Sequence, residues 1–116
     1  MRTKGADFIW FDGKIVKWEE ATVPVTTHAL HYGTSVFEGI RAYSSKNKLH
    51  VFRLRDHMDR LHHSAAVYSI AMNYSTDDLL EATVELLKTN RMSESLHNPR
   101  GSGYKNGRKF SRLSDK

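Results

Sequence analysis

The chain has 116 residues, of which 39% are hydrophobic and 27% charged, as is typical of one ordinary globular domain with a modest core. It contains no cysteine, which excludes disulfide bonds and thiolate metal ligands. No apolar run approaches the roughly 18 residues of a membrane-spanning helix and the N-terminus lacks a signal-peptide segment, so we expect a cytoplasmic protein with no membrane partner.

The formal net charge of +5 is confined to the end of the sequence. Residues 1–95 contain twelve Lys or Arg residues and twelve Asp or Glu residues, so their charges cancel. The excess lies in residues 96–116, at Arg100, Lys105, Arg108, Lys109, Arg112 and Lys116. Their Gly, Ser and Lys/Arg content predicts a disordered tail. Because no aromatic platform or nucleic-acid-binding motif accompanies these charges, we expect no nucleic-acid partner.

The first half of the chain is predicted to form β-structure. Asp12-Gly13 is a typical two-residue turn and predicts a hairpin over residues 8–16. Residues 23–25 are predicted to form a short strand, in which Pro24 indicates an edge position. Further extended segments are predicted at residues 36–37, 40–43 and 49–54, with a turn at residues 44–48.

The second half is predicted to form two helices. Met58, Leu61, Ala65 and Tyr68 recur at helical spacing. Ser75 and Asp78 have the spacing of a capping box at the start of the second helix. Its predicted buried stripe comprises Leu79, Leu80, Thr83, Leu86 and Leu87. Strands followed by helices predict an α+β fold, with helices packed on an antiparallel sheet.

The stretch HALHYGTSVFEGIRAY, residues 28–43, concentrates aromatic, hydroxyl and glycine residues between strand-like segments. It closely resembles the small-domain signature of class IV pyridoxal-phosphate aminotransferases, and of the branched-chain amino-acid type in particular. D-amino-acid aminotransferases and aminodeoxychorismate lyases share the architecture but are less similar to HYGTSVFEGIR. The resemblance runs from about residue 6 to residue 95, and we interpret residues 1–95 as the incomplete N-terminal small domain of a fold-type IV enzyme.

This resemblance implies a function in branched-chain amino-acid biosynthesis. The whole enzyme would transfer the amino group of leucine, isoleucine or valine to 2-oxoglutarate, with pyridoxal phosphate as cofactor. Members of the family are homo-oligomers, so a second copy is an implied partner beside the small-molecule substrates. The alternative is a non-catalytic binding or assembly module that pairs with intact subunits. A basic-tailed nucleic-acid binder is a third and weaker hypothesis.

The resemblance places Arg60 where the family has an arginine that grips the cofactor phosphate. A guanidinium group is always charged and offers paired hydrogen bonds to phosphate oxygens, which suits this role. The residues alone leave another interpretation open, in which Arg60 is a solvated helix arginine paired with Asp56 or Asp59.

Tyr32 and Phe37 match family positions that wall an apolar pocket for the branched side chain of the substrate. In the family, this tyrosine typically serves the site of the neighbouring subunit. Aromatic walls with one hydroxyl group suit selection of apolar over polar substrates. The alternative is that both rings pack in the core. Gly39 and Arg41 also match the signature, and we assign them structural roles.

No metal site is predicted, although histidines recur along the chain. His28 and His31 are three residues apart, and His57, His62 and His63 form a later group. No set of carboxylates or cysteines completes a coordination motif around them. We interpret these histidines as hydrogen-bonded structural residues.

Transamination requires a lysine that forms a Schiff base with the cofactor. In the family, that lysine belongs to the large C-terminal domain. The lysines of the domain-like part of this chain match no such motif; they are Lys4, Lys14, Lys17, Lys46, Lys48 and Lys88. We therefore predict no catalytic residue in this chain and no activity of the chain alone.

The resemblance to the family changes after Ser95. The family continues there with a tyrosine, an isoleucine or similar residue, an arginine and a proline, of which only Pro99 agrees. Codons for residues 96–101 read one base later can encode Tyr-Ile-Ile-Pro-Val-Val, so a frameshift is one explanation. A cloning remnant and an unrelated natural tail are the others, and the coding DNA distinguishes them.

Overall fold

The computed structural model describes residues 5–46 and 48–92, so the tail predicted at residues 96–116 lies outside the described residues. Its strands are β1 (Phe8–Phe11), β2 (Lys14–Lys17), β3 (Ala42–Ser45) and β4 (Lys48–Val51). Its α-helices are α1 (His28–Tyr32), α2 (Leu54–Val67) and α3 (Thr76–Thr89), with a 3₁₀ turn at Trp18–Glu20. In the described part, the strands form two separate antiparallel pairs. The α+β class is thereby confirmed.

The first hairpin follows from its turn residues. Strand β1 pairs with β2 so that Phe11 lies opposite Lys14. Asp12 and Gly13 between them have φ angles of 50° and 90°, the left-handed conformation that such a tight turn requires. This confirms the predicted hairpin. The second hairpin has the same plan, with β3 antiparallel to β4 and Ser45 opposite Lys48.

The predicted strand at residues 23–25 is wrong. The segment turns instead, because the carbonyl of Pro24 accepts hydrogen bonds from the backbone nitrogen and the hydroxyl group of Thr27, at 3.0 and 2.7 Å. This turn leads into α1, a five-residue helix inside the signature. The helix is too short for a periodic apolar pattern, so sequence periodicity did not predict it. Strand β4 ends at Val51 rather than Leu54, where α2 already begins.

The core lies where α2 and α3 pack together and against the first hairpin. It contains Trp10, Ile40, Met58, Leu61, Leu79 and Ala82. The predicted α2 stripe is confirmed at Met58, Leu61 and Ala65. It is wrong at Tyr68, which is 63% exposed and follows the last residue of the helix. In α3, Leu79 and Thr83 are buried, and the other predicted stripe residues are half-buried.

Side-chain hydrogen bonds fix how the helices begin and end. Ser75 and Asp78 form the predicted capping box, with reciprocal bonds of 3.1 and 2.8 Å. Asn90, just after α3, accepts hydrogen bonds from the backbone nitrogens of Asp7 and Phe8. The ring nitrogens of His62 lie 2.9 Å from the carbonyl oxygen of Met58 and 2.7 Å from that of Tyr74, and the N–H of the ring donates to one of them. These bonds tie α3 to β1, and α2 to the segment that precedes α3.

The helices within residues 5–46 and 48–92 are too short or too polar to cross a membrane.

We predict that the interface of α2 with α3 carries much of the stability. Leu61→Ala removes a side chain that is 2% exposed and leaves a cavity, so we expect a loss of about 2–5 kcal/mol in the free energy of unfolding. Val67→Ala, on the same helix but 68% exposed, is the control and should cost within about 0.5 kcal/mol. Urea denaturation followed by circular dichroism measures both, and equal losses would contradict this packing.

Candidate functional site

The centre of the site is a buried carboxylate. Glu38 lies in the segment between α1 and β3, and only 7% of its side chain is exposed. Exposure alternates along this segment, because Phe37 is 68% exposed whereas Glu38 and Ile40 are buried. Glu38 thus faces the protein where its neighbour Phe37 faces solvent.

Helix α2 supplies both partners of this carboxylate. Arg60 donates from Nε to Oε1 at 2.7 Å and from Nη2 to Oε2 at 2.6 Å. The Nδ1 atom of His57 lies 2.7 Å from Oε2. Because an ionised carboxylate only accepts hydrogen bonds, Nδ1 carries the hydrogen in this contact. His57 and Arg60 are three residues apart on a helix and therefore share one face.

The charges of this cluster stabilise each other. The hydrogen bonds from Arg60 hold the pKa of Glu38 below its ordinary value of 4.5, although burial acts in the opposite direction. The contact with Glu38 in turn raises the pKa of Arg60 above its ordinary range. Glu38 and Arg60 therefore form an ion pair at neutral pH.

The alternative pairing of Arg60 with a neighbouring aspartate on its helix is wrong. Asp56 accepts a hydrogen bond from Arg53 at 2.6 Å, and Asp59 accepts one from the hydroxyl group of Thr76 at 2.7 Å. Both aspartates thus have other partners. Sequence reasoning missed Glu38 and His57, although a lone acid within the signature and a histidine one turn before Arg60 were available signals.

Arg60 has a second edge of hydrogen-bond donors. A guanidinium group offers two donor pairs, and Glu38 uses the Nε and Nη2 pair. The Nη1 and Nη2 edge lies outside the contact with Glu38, on a side chain that is 64% exposed, although Nη2 also lies 3.3 Å from Nδ1 of His57. Paired donors on such an edge fit two oxygens of a phosphate group. The residues present therefore fit the phosphate of pyridoxal phosphate without loss of the ion pair.

The two predicted substrate residues are exposed. Tyr32 is 73% exposed and Phe37 is 68% exposed, so the alternative of core packing is wrong for both rings. Tyr32 stacks on His28, with ring centroids 4.4 Å apart, and His28 Nδ1 lies 2.6 Å from the hydroxyl group of Thr34. Among the described contacts, neither aromatic ring is a partner of Arg60. The structure thus brings Arg60 to Glu38 and His57 rather than to Tyr32 or Phe37.

The histidines and lysines take structural or surface positions in the described part of the chain. His28, His31, His57 and His62 each form a hydrogen bond through a ring nitrogen. Across residues 5–46 and 48–92, no three His, Asp or Glu side chains converge in a way that could hold a metal ion. The lysines that match no Schiff-base motif are exposed at positions 14, 17, 46, 48 and 88, whereas Lys4 lies outside the described residues.

The lowered pKa of Glu38 predicts a loss of stability in acid. Because the folded-state pKa lies below the unfolded value, Glu38 stabilises the fold above the unfolded pKa, and this contribution disappears as the pH falls through the folded pKa. We expect the free energy of unfolding to decrease from about pH 5 downward, and to decrease less in Glu38→Gln. Urea denaturation between pH 6 and pH 3 measures the difference.

Asp78 does not obscure this comparison. Its pKa is also lowered, chiefly by hydrogen bonds from Ser75, but it is present in both proteins. Parallel stability curves for the parent and Glu38→Gln would contradict the ion pair.

Comparison with known proteins places this chain in a family. The profile of the family described as amino-transferase class IV matches residues 35–111, about two thirds of the chain. The branched-chain-amino-acid aminotransferase of Escherichia coli (strain K12) is 50% identical over 99 residues, which are 85% of this chain and 32% of that protein. The Pseudomonas aeruginosa enzyme of the same name is 43% identical over 91 residues, 78% of this chain and 30% of that protein.

Solved structures agree with this assignment. The crystal structure of the Escherichia coli branched-chain amino acid aminotransferase superposes with a TM-score of 0.72 at 53% identity, covering 74% of this chain and 28% of that chain. The branched-chain aminotransferase of Thermoproteus uzoniensis, solved with norvaline, gives a TM-score of 0.71 at 46% identity, covering 74% and 29%.

The chain spans about a third of the length of the curated relatives that it matches. Within that third, the relatives share both its sequence and its α+β fold. The match of the family profile to most of the chain, together with this agreement, shows that the chain belongs to the class IV aminotransferases.

Proposed function

We propose that this chain supplies the phosphate-binding arginine and part of the substrate wall of a branched-chain amino-acid aminotransferase. The reaction is transfer of the amino group of leucine, isoleucine or valine to 2-oxoglutarate. One observation carries the proposal: Arg60 is held by a buried carboxylate and has a second donor edge on an exposed side chain. The names of the relatives, which are branched-chain aminotransferases at 43–50% identity, support the substrate class.

Pyridoxal phosphate is the proposed cofactor, and when bound it supplies the electron sink for amino transfer. Related structures support the choice, since solved branched-chain amino acid aminotransferases are described with pyridoxamine 5'-phosphate and with a phosphopyridoxyl glutamate. In our proposal, Arg60 binds two phosphate oxygens through Nη1 and Nη2 and thereby orients the cofactor.

Tyr32 and Phe37 are proposed to form an apolar wall for the branched side chain. Their rings are largely exposed in this chain and thus available to a ligand or to a second copy. The stack with His28 and the bond of His28 to Thr34 hold the Tyr32 ring in place. In a homo-oligomer, Tyr32 would serve the neighbouring subunit. The structures described with norvaline and with 4-methylvaleric acid support a site for apolar side chains.

The Schiff-base lysine is proposed to lie in the two thirds of the relatives that this chain does not match. The described lysines of this chain are exposed on strands, turns and a helix, and none belongs to the Arg60 cluster. We therefore propose that the 116-residue polypeptide alone does not catalyse transamination. Incubation with pyridoxal phosphate, leucine and 2-oxoglutarate tests this, and glutamate formation above a cofactor-only control would contradict it.

A second candidate is an assembly module that pairs with intact subunits. It is favoured by the exposure of apolar side chains in and before α1, where Val25, Leu30 and Tyr32 are 80%, 64% and 73% exposed. Co-purification with an intact homologue, together with absence of cofactor binding, would favour this function over the first.

Arg60 can be tested in a hybrid enzyme. Residues 6–92 of this chain replace the matching segment of the Escherichia coli enzyme, and the hybrid is expected to form glutamate from leucine and 2-oxoglutarate. Arg60→Ala removes charge-assisted hydrogen bonds to the phosphate, so we expect roughly 10- to 100-fold weaker retention of the cofactor, measured by its absorbance after dialysis.

Arg55→Ala is the control for that substitution, since Arg55 is on the same helix and pairs with Asp77. It should leave cofactor retention unchanged. Equal retention by Arg60→Ala and the parent hybrid would contradict the proposed role.

The substrate wall can be tested in the same hybrid. Phe37→Ala removes apolar contact with the side chain of leucine, so we expect kcat/KM for leucine to fall by about 10- to 100-fold while cofactor retention is unchanged. Phe52→Ala is the matched control, because Phe52 is also exposed but lies outside the signature. A loss of the same size in both variants would argue against a pocket wall at Phe37.

A further inference from the structure

Glu38 is the one acidic residue that is buried within residues 5–46 and 48–92. Burial of a carboxylate costs free energy unless charged partners and hydrogen bonds compensate. Here Arg60 and His57 together provide three hydrogen bonds of 2.6–2.7 Å. The proposed function uses Arg60 but assigns no role to the carboxylate behind it.

The ion pair restricts the orientation of Arg60. An unrestrained arginine side chain samples many rotamers and loses that freedom when it binds a ligand. Two bonds from one edge of the guanidinium plane to Glu38 define both the position and the rotation of that plane. The Nη1 and Nη2 edge is consequently fixed before any anion arrives.

We propose that Glu38 is a positioning residue for phosphate binding by Arg60, and that His57 is a positioning residue for Glu38. Glu38 fixes the guanidinium plane so that its outer edge faces the phosphate group. His57 holds Oε2, the oxygen that Arg60 Nη2 also contacts. This inference rests on the proposed function, in which Arg60 binds the cofactor phosphate.

A purely structural ion pair makes a different prediction. Such a pair would only tie the signature to α2, and its negative charge would repel a nearby phosphate. Neutralising Glu38 would then strengthen phosphate binding by removing this repulsion. A neutral variant therefore cannot separate the effect of charge from the effect of geometry. A substitution that keeps the charge separates the two effects. Glu38→Asp does so, because its side chain is one methylene shorter and cannot reach both Arg60 nitrogens from the same backbone position.

The test uses the full 116-residue chain labelled with ¹⁵N at arginine. Inorganic phosphate and pyridoxine 5'-phosphate are the probes, since the latter has no aldehyde to react with surface lysines. Binding is followed by NMR at the side-chain nitrogens of Arg60. We expect about two- to tenfold weaker binding of both probes in Glu38→Asp, and a smaller loss in His57→Phe. Glu81→Asp, an exposed glutamate on α3, is the matched control and should bind like the parent.

A second readout needs no ligand, because it measures the mobility of the Arg60 side chain itself. The Nε–H group of Arg60 should be as rigid as the backbone in the parent chain and more mobile in Glu38→Asp, by ¹⁵N relaxation. Backbone amide spectra establish that each variant is folded. If the Nε–H group of Arg60 in the parent is as mobile as that of the exposed Arg41, the inference is overturned. This outcome does not require Glu38→Asp to fold.

The outcomes separate this inference from the proposed function. Absence of any Arg60 response to phosphate in the parent chain would overturn the phosphate-binding role itself. A response in the parent that Glu38→Asp and His57→Phe leave unchanged would overturn positioning alone. Tighter binding of phosphate in Glu38→Asp would also overturn the positioning role alone.

Discussion

The ion pair between Glu38 and Arg60 is the interaction on which the site depends. It joins two segments that are 22 residues apart in sequence, the signature and helix α2. The carboxylate is buried while the guanidinium remains mostly exposed, so the desolvation cost falls mainly on Glu38. Removal of Arg60 would leave that charge with only His57, whereas removal of Glu38 would leave a solvated arginine. The pair is therefore asymmetric, and removal of Arg60 is expected to destabilise the fold more than removal of Glu38.

Helix α2 serves the core and the site with different faces. Met58, Leu61 and Ala65 point into the core, and His57 and Arg60 point towards Glu38. A rotation of the helix that improved one set of contacts would disturb the other. Packing against α3, the bridge of His62 to the carbonyl of Tyr74 and the contact with Glu38 together fix that rotation. The geometry of the proposed anion-binding edge thus depends on the hydrophobic core.

The features that the sequence predicted well have local causes. The Asp12-Gly13 turn and the Ser75 capping box need only neighbouring residues, and both are present. The helical stripes need only the 3.6-residue period, which the structure confirms except at Tyr68. The predicted strand at residues 23–25 is wrong because Pro24 and Thr27 form a turn, although the chain there has the composition of a strand.

The partner of Arg60 could not be predicted in this way. The sequence offered two nearby acids as partners, Asp56, which lies four residues before Arg60 on the same helix, and the adjacent Asp59. The fold gives these acids to Arg53 and Thr76 instead, and brings Glu38 from a distant segment. The family resemblance indicated Arg60, but a resemblance names positions without giving their contacts. Tertiary structure was needed to find the acid and the histidine.

The alternation through residues 36–40 couples the two proposed parts of the site. Phe37 faces solvent whereas its neighbour Glu38 faces the protein. A shift of one residue would exchange these sides, so that an aromatic ring would face Arg60 and the carboxylate would face solvent. After that shift, neither the proposed phosphate contact of Arg60 nor the proposed apolar wall at Phe37 would form. The position of this segment is anchored by Ile40 in the core and by the bonds of Glu38 to α2, which together select one register.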